Sequence, residues 1–129
     1  MPKSTPPRSL RLRPGLEKQI SRIARRTRRP FSEVTQDLLE EALRMRQSPG
    51  IYFADEPGGR VAKVAGTGLA VWEVMRDYRA EGGTEAGLRR ALPQLTAGQS
   101  KAAQLYYGRW REEIDDLIAD NEEAADPAT

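Results

Sequence analysis

The sequence predicts a mainly α protein in two unequal parts: a short strand with two helices, then a small β-hairpin with three helices. Three observations predict it. Apolar residues recur at helical spacing over most of the chain, Pro and Gly cluster between those stretches, and opposite charges gather at opposite ends. A length of 129 residues suits one domain or two very small ones. With 38% hydrophobic residues, two Trp, four Tyr and two Phe, the core is small. It is expected to be completed by a partner chain or by helix stacking.

Lys and Arg total 21 against 19 acids, a formal +2 that hides a strong segregation. Residues 1–30 hold ten bases and one acid (+9), residues 31–48 are −2, residues 49–111 are +3, and residues 112–129 hold eight acids and no base (−8). Such a head suggests a polyanionic partner, because Lys and Arg displace condensed counterions from phosphate backbones. A merely solvated basic face is the plainer alternative. The chain has no Cys and no His. Disulfides, zinc fingers, cysteine nucleophiles and histidine-dependent triads are therefore excluded, and neither an enzyme nor a cofactor or metal is expected. Asp115 and Asp116, neighbours on a helix, point about 100° apart and make no chelate. No stretch approaches the roughly 18 apolar residues of a membrane span, and the proline-rich start lacks a signal-peptide apolar run. The expectation is a soluble cytoplasmic protein with no membrane contact.

Residues 1–8, with three prolines, are expected to form a mobile arm. In Ser9-Leu10-Arg11-Leu12-Arg13, polar and apolar residues alternate, which puts Leu10 and Leu12 on one strand face and Ser9, Arg11 and Arg13 on the other. Five residues with no hairpin partner are not stable alone, so this strand must pair with something distant or with its own copy. Leu16, Ile20, Ile23, Ala24 and Thr27 then form one helical stripe, with Lys18, Arg22, Arg25, Arg26 and Arg29 on the other faces. Pro30 interrupts that helix, and a second begins whose apolar face is Phe31, Val34, Leu38, Ala42 and Met45, supported by Leu39 and Leu43.

Residues 9–47, SLRLRPGLEKQISRIARRTRRPFSEVTQDLLEEALRMRQ, resemble the ribbon-helix-helix fold of the Arc, MetJ and CopG repressors and of many antitoxins. The resemblance implies that the strand pairs antiparallel with the same strand of a second chain and that this ribbon enters the major groove. It makes Ser9, Arg11 and Arg13 the base-reading side chains, and Leu10 and Leu12 the dimer core. It also sets the amides around Phe31 and Ser32 on a DNA phosphate. Arg22, Arg25 and Arg26 become solvated surface, since this helix lies away from the groove. Two departures stand out: Pro30 takes the place of a serine-like cap, and Arg28-Arg29 replace a glycine-containing turn.

Ser48-Pro49-Gly50 marks the boundary between residues 9–48 and a second domain over residues 50–118. Ile51-Tyr52-Phe53 and Val61 to Val64 are strands flanking an Asp55 to Gly59 loop. Val71, Trp72, Val74, Met75 and Tyr78 give a helix to about Ala80, ended by Gly82-Gly83. Thr84 caps a short helix with Leu88, Ala91 and Leu92. Thr96 and Gln99 form a capping box that starts one long helix through Ala102, Tyr106, Trp110, Ile114 and Leu117. Together these read as a helix-turn-helix-like three-helix domain. Gly66-Thr67-Gly68 reads as the turn into the first of those helices, a phosphate cradle being the alternative. Residues 119–129 form an acidic tail, expected to be frayed from about Asp120.

The stretches AGTGLAVWEV, GGTEAGLRRALPQLT and QSKAAQLYYGRWREEIDDLI resemble domain-of-unknown-function family four hundred and thirty-three over about residues 50–118. The landmarks are Gly66, Thr67, Val71, Trp72, Pro93, Leu95 and Thr96, while Gly68 replaces the family's arginine and Ala70 its polar cap. Members are commonly regarded as antitoxins. The two resemblances together imply a DNA-binding antitoxin and autorepressor. A homodimer, or a higher even-numbered oligomer, would bind double-stranded operator DNA, and the C-terminal region would block a protein toxin, a PIN-like ribonuclease. Tyr107, Trp110, Asp115 and Asp116 are the residues expected to face that partner. A stand-alone transcriptional regulator with no toxin is the alternative.

Overall fold

The computed structural model describes residues 7–125. Residues 1–6 of the expected arm and 126–129 of the acidic tail lie outside them. Among the described residues the order is α1 (Pro14–Thr27), α2 (Phe31–Gln47), β1 (Ile51–Glu56), β2 (Gly59–Val64), α3 (Val71–Ala80), α4 (Glu85–Ala91), α5 (Ala97–Arg109) and α6 (Arg111–Ala125). The predicted class, mainly α with one small hairpin, is the observed one. No described helix is long and apolar enough to cross a membrane. The chain divides into two units, Met1–Ala42 and Leu43–Thr129, so the last turn of α2 belongs with the second unit.

In the first unit, residues 9–13 form no strand, contrary to the periodicity. The one sheet among the described residues is β1 with β2. A strand exists by its ladder, and a single copy of this chain offers Ser9 to Arg13 none. Arg13 is extended (φ −61°, ψ 142°) and leads into α1, which begins at Pro14. Proline suits that first helical position because its missing N–H has no acceptor there. At the other end Arg28 is left-handed (φ 55°, ψ 45°), and the Arg29 amide donates to the Ala24 carbonyl at 3.0 Å. Glycine commonly fills such a site, and here an arginine does. The buried core is Ile20, Ala24 and Val34, with Leu12, Ile23 and Leu38 against it. Of the apolar face expected on α2 only Val34 is buried; Phe31 and Leu39 are exposed.

The second unit is built around a hairpin. Ile51 pairs with Val64 and Glu56 with Gly59, leaving Pro57-Gly58 as a two-residue turn, tighter than the loop expected from sequence. The adjacent carboxylates Asp55 and Glu56 are engaged across the hairpin by Arg60 at 3.2 Å and Lys63 at 2.6 Å. Val64 donates its amide to Leu69 at 2.9 Å, and Gly66 and Gly68 both have positive φ (84° and 72°). The Gly-Thr-Gly segment is thus a reversal that returns the chain to β2 before α3. Glu73 reaches back to accept the Ala70 amide at 3.0 Å, which restores half of the capping that Ala70 lacks. Ile51, Val64, Val71, Val74, Leu88, Ala103, Tyr106, Ile114 and Ile118 make one core.

Thr84 caps α4, and Thr96 with Gln99 caps α5 reciprocally, as their spacing requires. Gly87, inside α4, lies so near the preceding turn that a Cβ there would meet the Glu81 carbonyl oxygen at 2.5 Å. The expected long C-terminal helix is two helices. Trp110 leaves helical geometry (φ −125°, ψ 51°) between α5 and α6, helped by Gly108 just before it, a weak helix former. The tail differs too: α6 continues to Ala125 rather than fraying at Asp120, and Asn121 donates to the Leu117 carbonyl at 2.7 Å.

Candidate nucleic-acid and partner interfaces

The first unit holds the residues expected at DNA. Ser9, Arg11 and Arg13 are exposed and precede α1. Leu12 packs against the Ile20, Ala24 and Val34 core, whereas Leu10 is 72% exposed, so the two leucines do not share a covering within one chain. Phe31 and Ser32 form the first turn of α2, where amides lack intrahelical acceptors. Next to them Arg29 is bound by Glu33 at 3.3 Å and Asp37 at 2.6 Å. Its guanidinium pKa is raised by the hydrogen bond to Asp37 and then that to Glu33. The remaining cations from Arg8 to Arg28 make no ion pair with a described acid.

In the second unit the residues expected to face a partner are mostly engaged inside the chain. Two Arg–Tyr–carboxylate clusters tie its helices together. Arg44, on the last turn of α2, donates to the Tyr106 hydroxyl and to Glu113 Oε1, both at 2.8 Å, and Tyr106 donates to Glu113 Oε2 at 2.9 Å. The Arg44 guanidinium lies 4.6 Å over the Trp110 ring, and that ring lies 4.5 Å from Tyr106. Burial by itself lowers the Arg44 pKa, but its hydrogen bonds to Glu113 and Tyr106 hold it above the ordinary value. Burial, then the negative charge of Glu113, pushes the Tyr106 hydroxyl well above the usual tyrosine range.

The second cluster mirrors the first. Arg79 on α3 donates to the Tyr107 hydroxyl at 2.8 Å and pairs with Asp115, to which Tyr107 also donates at 2.8 Å. The hydrogen bond to Tyr107 is the main reason the Arg79 pKa is raised. Arg111 covers the same ring at 5.2 Å. Tyr107, Trp110 and Asp115 therefore serve the packing of α5 and α6, while Asp116 is exposed. Sequence reasoning gave Arg44, Arg79 and Glu113 no part in a site. The one local signal was the Tyr-Tyr pair followed by carboxylates seven and eight residues on, and nothing local marks the arginines. A further polar cluster, Glu85 with the buried Ser100 and Gln104 at 3.1 and 2.9 Å, fixes α4 on α5 and was also not foreseen.

No family model matches the chain, and no curated protein matches it. Among solved structures it is similar to a DUF433 member protein from Anabaena variabilis ATCC 29413, at 31% sequence identity. That match covers 79% of this chain and 97% of the other, with a TM-score of 0.42.

Proposed function

The chain belongs to the DUF433 family, and from that premise we propose that it is a DNA-binding antitoxin: a dimer that represses its own operon and neutralises a protein toxin, a PIN-like ribonuclease. The observation that carries the DNA half is the state of the first unit. Its cations from Arg8 to Arg28 have no acid partner among the described residues, while Leu10 and Leu16 stand exposed beside a core of three buried residues. So small a core is stabilised by a second copy, whose residues 9–13 supply the missing ladder. The paired segments set two copies of Arg11 side by side for a major groove, where a bidentate contact to guanine is worth about 1–3 kcal/mol of discrimination. The first-turn amides of Phe31 and Ser32 then meet a phosphate.

Footprinting of the full-length protein on the DNA upstream of its gene tests this. Arg11→Ala abolishes sequence preference and leaves part of the salt-dependent binding; an unchanged footprint overturns the assignment. On the toxin side, co-expression with the neighbouring reading frame yields a co-purifying pair and relieves toxicity. A regulator with no toxin is favoured by one observation, that Tyr107, Trp110 and Asp115 are spent within the chain. That reading holds if the neighbouring product neither binds nor is toxic.

A further inference from the structure

Among the described residues of the first unit, eight cations from Arg8 to Arg28 make no ion pair, and two sets of three stand out among them. Arg8, Arg11 and Arg13 precede α1, whereas Lys18, Arg22 and Arg25 recur at i, i+4 and i+7 and share one line of that helix. All three are exposed, on the opposite side of α1 from the buried Ile20 and Ala24. They border an open recess of about 460 Å³, with Glu17 as the one acid in its lining. Arg29, the next position on the same line, is held by Glu33 and Asp37. Arginines of the second unit such as Arg44, Arg76, Arg79 and Arg89 likewise have carboxylates. The fold thus neutralises Arg29 but leaves three like charges within roughly 10 Å, a repulsion that an anionic partner relieves.

The partner is a nucleic acid rather than a membrane surface. An interfacial helix inserts its apolar side into lipid, and on that side of α1 Ile20 and Ala24 are already buried beside Val34, which leaves Leu16 as the one large exposed apolar residue. A duplex carries one charge about every 1.7 Å of its axis, so a row of this length meets several phosphates whatever the sequence. We propose that the Lys18, Arg22 and Arg25 line of α1 is a second nucleic-acid contact, which grips phosphate backbone beside the base-reading segment. This inference rests on the DNA-binding reading above, and it revises what the ribbon-helix-helix resemblance implies for Arg22 and Arg25: they meet phosphate backbone outside the groove instead of remaining solvated surface.

The test is the salt dependence of binding to a non-cognate DNA duplex, by fluorescence anisotropy on the full chain. Lys18→Gln/Arg22→Gln/Arg25→Gln lowers the slope of log K against log salt by about 0.9 for each phosphate lost, up to about 2.7 per chain. Between 50 and 200 mM salt the wild type then loses up to about 40-fold more affinity than the variant for each chain in contact with the duplex. Arg22→Lys/Arg25→Lys, which keeps the charges, retains the wild-type slope and controls for folding. An unchanged slope in the Gln variant, with wild-type binding intact, overturns this inference alone. No duplex binding by the wild type overturns the DNA reading and this inference with it. Co-sedimentation with vesicles of three parts phosphatidylcholine to one part phosphatidylserine, lost in the Gln variant while its DNA slope is unchanged, assigns the line to a membrane and overturns it.

Discussion

Tyr106 and Tyr107 are adjacent on α5, yet their hydroxyls donate to Glu113 and Asp115 at 2.9 and 2.8 Å and thereby anchor α6 on two sides. Neighbours on a helix diverge by about 100°, so one Tyr-Tyr pair reaches two different arginines. Tyr106 takes Arg44, and Tyr107 takes Arg79. The break at Trp110 makes this possible, because it folds α6 back within reach of the residues four and three positions before the break.

Removing Arg44 leaves the buried Tyr106 hydroxyl and Glu113 without their shared cation. Arg44→Met is expected to destabilise the protein by about 1–3 kcal/mol, the range for hydrogen bonds to charged groups with one partner still solvated. Arg44→Lys does not rescue it. An ammonium lacks the planar fork that bridges both oxygens while stacking on Trp110. Urea unfolding of the two variants checks this, and a lysine variant as stable as wild type refutes it.

The raised Tyr106 pKa gives the protein an alkaline weakness. Above pH about 10 an unfolded tyrosine ionises, whereas Tyr106 in the fold keeps its proton. The unfolded state then binds fewer protons than the native state, so stability falls as pH rises. The contribution is fully present below pH about 10 and is lost progressively above it. Tyr106→Phe, less stable at pH 7, is expected to show a shallower decline between pH 9 and pH 11 in thermal melts, a window set on the ordinary tyrosine pKa of about 10. Parallel profiles for the two proteins count against this cause.

Arg28 occupies a left-handed position that costs a side-chain-bearing residue about 1 kcal/mol or more. Arg28→Gly is expected to raise stability by about 0.5–1 kcal/mol, and Arg28→Ala to leave it nearly unchanged. Comparing the two separates conformational relief from loss of one charge in a basic segment. Equal effects would assign the change to charge.

Whatever rests on neighbours a few residues apart can be read along the chain. The Thr96 and Gln99 box, the Thr84 cap, the Gly82-Gly83 stop and the stripe through Val71, Val74 and Met75 are local, because a cap or a helical face is complete within one or two turns. The residues expected at DNA were placed by periodicity and resemblance. Their exposure at Ser9 and Arg11 is visible in the structure, whereas a ribbon is a property of two chains. The break at Trp110 emerges in the packed chain alone, since the spacing of Tyr106, Trp110 and Ile114 continues smoothly across it. Tertiary packing alone brought Arg44 and Arg79 to tyrosines 62 and 28 residues away, and so gave Tyr107, Trp110 and Asp115, the residues expected to face a partner, contacts within the chain. The difference is one of reach: helical propensity and capping act over a few residues, but a guanidinium finds its carboxylate only after the core has closed.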